Sequence, residues 1–112
     1  MKFTIDKDLI INEFQSLAAV ADKKQTLPIL SNILIRCEED KVKLLSTDLE
    51  VELEVVIEGS NIESPGETTI PAKKAADIIR ELPDGEVSFE LNEDSSKLTV
   101  KSSSGRYNLS TI

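Results

Sequence analysis

The chain has 112 residues, the length of one compact domain, and with 39% hydrophobic but only 4% aromatic residues its core has to be built from Ile, Leu and Val. Histidine is absent and Cys37 is the one cysteine, which excludes an internal disulfide, a His/Cys metal site and a Ser–His or Cys–His dyad. The net charge of −8 argues against a nucleic-acid partner until its distribution is read: ten acids and two lysines lie between Glu38 and Glu67, and the remainder is neutral.

Met1 to Ile5 alternates as a strand, which reads as a cytosolic protein starting at its natural N-terminus, with no signal peptide and no membrane span. Ile10, Phe14, Leu17 and Ala21 recur at helical spacing, widened by Ile11 and Ala18, and predict a first helix over about Lys7 to Ala21. Asp6 is its expected N-cap, and Asp8 suits the positive end of the helix dipole. Ile33 to Cys37 is an apolar strand, and Cys37 within it reads as a small buried hydrophobe. Val51, Leu53, Val55 and Ile57 then share one parity while Glu50, Glu52 and Glu54 share the other, predicting a strand with one apolar and one acidic, solvated face.

A second helix is expected from about Ala72 to Leu82, opened by Pro71 and closed by Pro83-Asp84-Gly85. Val87, Phe89 and Leu91, then Leu98 and Val100, then Tyr107 and Leu109 repeat the strand pattern. Turn signals separate these runs at Glu39-Asp40, Ser64-Pro65-Gly66, Asn92-Glu93-Asp94 and Ser103-Ser104-Gly105. The order is strand, helix and three strands, twice over. It predicts a single α+β domain over 1–112 made of a duplicated βαβββ unit, with halves at about 1–60 and 66–112. Amphipathic helices and one-faced sheets should pack as two layers on one core.

Six of the thirteen bases fall in the helical layer: Lys7, Lys23, Lys24, Lys73, Lys74 and Arg80. Lys73 and Arg80 are seven apart, which returns to nearly the same side of a helix. A duplex could be tolerated there and repelled by the acidic sheet. On charge alone the ordinary explanation is a solvated helix surface, with Asp77 and Glu81 pairing to Lys73 and Lys74. No base-reading element, aromatic platform or phosphate-binding glycine loop is present in the sequence. Asp48 and Glu50 imitate a catalytic carboxylate pair but read better as part of the solvated stripe.

Five stretches occur in order: Met1-Lys2-Phe3-Thr4-Ile5, Gln25 to Asn32 (QTLPILSN), Ser46 to Glu50 (STDLE), Thr68 to Lys74 (TTIPAKK) and Tyr107 to Thr111 (YNLST). Together they resemble the N-terminal domain of the bacterial DNA polymerase III beta subunit, the beta sliding clamp, over essentially the whole chain. The resemblance implies a DNA-clamp fold. It implies a homodimeric ring of three-domain chains that encircles double-stranded DNA without sequence preference and makes the replicative polymerase processive. Helices would line the hole and sheets the outside. No catalysis, cofactor or metal is implied, and the location is cytoplasmic.

By position, Lys24 and Lys73 match basic residues that touch DNA, and Lys23 and Arg80 are candidates for the channel lining beside them. Lys74, Arg106, Tyr107 and Leu109 match the edge that meets the third domain of the partner chain. A basic position of the family in the loop before the last strand is Ser104 here, which puts one interface ion pair in doubt. Polymerase and clamp loader would bind through domains absent from this chain, and an end at Ile112 suggests a fragment cut at a domain boundary. The competing readings are a non-catalytic protein-interaction module of similar fold without a DNA role and, further off, a carboxylate-dependent hydrolase.

Overall fold

The alternating runs form two antiparallel sheets and the two periodic segments form helices. The structure is a computed structural model, and it describes residues 1–21, 28–92, 94 and 96–111. Its strands are β1 (Lys2–Asp6), β2 (Asn32–Cys37), β3 (Val42–Thr47), β4 (Glu52–Ile57), β5 (Asn61–Ser64), β6 (Gly66–Pro71), β7 (Glu86–Asn92), β8 (Lys97–Lys101) and β9 (Arg106–Ser110). The helices are α1 (Ile11–Val20) and α2 (Ala72–Glu81). One sheet has the order β5-β1-β7-β8-β9 and the other β4-β3-β2-β6.

The first strand of each βαβββ run crosses to the other run's sheet. β1 pairs with β7, and β6 pairs with β2 from Asn32↔Pro71 to Cys37↔Gly66. Neither sheet is complete without a strand from the opposite half. β5 is a short additional edge strand on β1 that the sequence reading did not separate.

Strand parity decides the core. Ile33, Ile35, Val42, Leu44, Ile70, Val87, Phe89, Leu98 and Val100 point inward and are buried. They meet Phe14 and Leu17 of α1 and Ala72, Ala75, Ala76 and Ile79 of α2. The few aromatics are concentrated here: the Phe89 ring stacks on Phe3 at 4.8 Å and on Phe14 at 6.3 Å. Cys37 is buried, as its apolar neighbours predict, and desolvation pushes its thiol pKa up.

Two boundaries differ from expectation. Lys7–Leu9 is a 3-10 turn, and α1 begins only at Ile11. Asp6 does cap this start, accepting from the Asp8 N–H at 2.9 Å, but the Lys7 N–H donates to the Gly85 carbonyl at 2.9 Å and ties the turn to the second half. The acidic strand also begins later, at Glu52. Asp48–Val51 is a turn in which the Asp48 carboxylate accepts the N–H groups of Glu50 and Val51 at 2.9 and 2.7 Å, and Leu49 takes a positive φ of 80°.

Candidate nucleic-acid interface

The helical layer is built on α2, whose apolar stripe of Ala72, Ala75, Ala76 and Ile79 is buried and whose opposite arc carries the charge. Lys73 and Lys74 are both exposed on its first turn, and among the described residues neither pairs with an acid. The expected partners went elsewhere: Asp77 and Glu81 bind Arg80, at 3.1 and 3.8 Å. Helical spacing allowed Asp77 to pair with Lys73, Lys74 or Arg80, and the forked Arg80 head also reaches the adjacent Glu81.

The exposed residues of α1, Asn12, Gln15, Ser16 and Ala19, are uncharged, with Glu13 half-buried among them. Gln15 also joins the two helices through its Nε2, which donates to the Ala76 carbonyl at 3.3 Å. Along α1 and α2 three bases (Lys73, Lys74, Arg80) are matched in number by three acids (Glu13, Asp77, Glu81). The described helices are therefore balanced rather than basic. Lys23 and Lys24, the other candidates, lie outside the described residues.

Lys7 does not belong to this surface. It is only 8% exposed, and its Nζ turns inward to donate to the carbonyls of Arg80 (3.2 Å) and Leu82. The sequence carried the signal: Lys7 lies three residues before Ile10 and seven before Phe14, on the apolar stripe itself.

Asp48 is engaged in its own turn. The Val51 N–H, then the Glu50 N–H, stabilise the ionised Asp48 carboxylate and hold its pKa below the usual value, both donating to Oδ1, which serves the turn. No group of His, Cys, Asp and Glu suited to a metal ion occurs among the described residues.

β9 is a sheet edge lying beside β6, the strand that leads into α2 and Lys74. Leu109 and Tyr107 share the inward parity of this strand but separate in burial, at 6% and 41% exposed. Leu109 packs opposite Leu98 in the core, whereas Tyr107, opposite Val100 near the β8–β9 turn, is left exposed. Arg106 is exposed on the outward parity, opposite Lys101.

A family model for the N-terminal domain of the DNA polymerase III beta subunit matches residues 1–112. The chain belongs to the DNA polymerase III beta subunit family. This beta-subunit domain is 41% identical over 114 residues to the beta sliding clamp of Pseudomonas aeruginosa and 39% identical over 113 residues to that of Proteus mirabilis. Each match takes in all of this chain and 30% of the relative, so the domain spans just under a third of those proteins. Among solved structures it superposes on the Caulobacter crescentus beta sliding clamp with a TM-score of 0.94 at 34% identity. The match to the Bacillus subtilis DNA polymerase sliding clamp has a TM-score of 0.94 at 28% identity, covering 100% of this chain and 31% of that one. The architecture is the α+β clamp fold, two helices packed on two antiparallel sheets. In this clamp domain Ser104 is exposed in the β8–β9 turn, its N–H donating to Ser102 Oγ at 3.3 Å, with no ion pair among the described residues.

Proposed function

We propose that this domain is one segment of a ring that encircles duplex DNA and keeps a replicative polymerase on it, as a non-catalytic processivity factor in the cytoplasm. The observation that carries this reading is the match of the whole chain, in sequence and in fold, to proteins named beta sliding clamps. A ring that holds DNA by topology needs only mild, sequence-independent attraction to phosphates, because many tight contacts would stop it sliding. The exposed, uncharged residues of α1 beside Lys73 and Lys74, which pair with no acid among the described residues, suit that requirement. Lys24 and Lys73 are the DNA-contacting bases in this reading, with Lys23 and Arg80 beside them. Lys74, Arg106 and Tyr107 form the edge toward a second clamp chain, and Leu109 supports that edge from the core side. Polymerase and clamp loader engage the domains beyond this one.

The test is charge reversal of Lys24 and Lys73 together, to Glu, in the ring-forming protein that carries this domain. Retention on circular duplex should fall, and its dependence on salt should change, since each phosphate contact contributes about 0.9 to the slope of log affinity against log salt. Undiminished retention at low salt would rule out the channel assignment and favour a protein-interaction module without a DNA role.

A further inference from the structure

We infer that Lys7 is a positioning residue for Arg80, clamping the last turn of α2 from the opposite half of the domain. The final carbonyls of a helix have no partner within it, and the usual remedy is a left-handed residue, commonly glycine, just past the end. α2 has no such cap. Leu82 follows it in an extended conformation (φ −70°, ψ 149°), and the first positive-φ residue, Gly85, comes three positions later. The Lys7 ammonium replaces that cap, donating to the carbonyls of Arg80 and Leu82 while its own N–H holds the Gly85 carbonyl. A cation at this pole also complements the helix dipole.

A buried ammonium is tolerated only where its donors are used, so this lysine is tied to the α2 terminus and cannot serve as a surface charge. One acceptor is the carbonyl of Arg80 itself. The exposed Arg80 guanidinium is paired with Asp77 and Glu81, and the direction in which this group leaves the helix depends in addition on a turn that Lys7 holds. Lys73, at the other end of α2, does not depend on it.

The inference rests on the reading of Arg80 as a channel residue, and its two halves are tested separately. In this chain, amide exchange of Lys7→Met should quicken at Arg80, Glu81 and Leu82 and stay unchanged at Ala76 and Asp77. Uniform acceleration, or none, overturns the clamp. Should Lys7→Met not fold, Lys7→Gln, which keeps a donor without the charge, gives the same readout.

In the ring-forming protein, Lys7→Met should lower DNA retention as much as Arg80→Ala does, within about twofold. It should add nothing in an Arg80→Ala background, yet multiply with Lys73→Ala. A general loss of stability would multiply with both, and that result overturns the positioning role. If Arg80→Ala itself leaves retention unchanged, the channel reading of Arg80 fails and the link from Lys7 to DNA falls with it, whereas the exchange data still judge the clamp.

Discussion

Replacing Leu109 with alanine removes three carbons from a side chain that is 6% exposed and faces the fully buried Leu98 across β8–β9. At roughly 0.8 kcal/mol for each buried carbon, the transfer loss is about 2.4 kcal/mol. β9 is an edge strand whose surroundings can partly close the gap, so the total should fall near the lower end of the roughly 2–5 kcal/mol seen for Leu→Ala. The melting temperature of this chain should drop by about 10 °C. Tyr107 shares the strand and its parity but is 41% exposed, so Tyr107→Ala should cost the isolated chain no more than about 1 kcal/mol. In the ring-forming protein the ranking should reverse, with Tyr107 at the proposed edge toward the second chain. Loss of an aromatic anchor at a desolvated interface costs about 2 kcal/mol or more, a rise of about thirtyfold in the dimer dissociation constant. Urea unfolding of both variants, read against sedimentation of the ring-forming protein, measures the two effects independently. The reasoning fails if Tyr107→Ala destabilises the chain as much as Leu109→Ala, or if the Tyr107 variant keeps a wild-type dimer.

Asp48→Asn keeps an acceptor for the turn but removes its titration. Because the folded pKa of Asp48 lies below 3.8, its charge contributes stability above that value, and the contribution is lost as pH falls through the folded pKa. The stability gap between wild type and variant should therefore be widest near neutral pH and close in acid, and a gap that ignores pH would contradict the role given to the carboxylate. Cys37 is buried with its thiol pKa raised, so an aromatic disulfide reagent at mildly alkaline pH should modify the native chain far more slowly than the urea-unfolded chain; equal rates would show the β2 terminus to be open.

Local pattern was enough to locate both helices, the apolar parity of the strands and the buried state of Cys37, because each depends on residues within a few positions of one another, but it missed the turn at Asp48–Val51. It also carried the motifs by which the chain resembles beta sliding clamps. What it left undecided depended on partners distant in sequence. The exchange of β1 and β6 between the two sheets has no local signature, since any strand of suitable parity satisfies the alternation. Leu109 and Tyr107 are equivalent by periodicity, and only the tertiary packing, which covers Leu109 and leaves Tyr107 exposed near the β8–β9 turn, separates them. Lys7 was counted with the surface bases although it stood on the apolar stripe, because a lysine is normally solvated. Its place was decided by two carbonyls 73 and 75 residues away, whose missing cap makes a buried ammonium favourable.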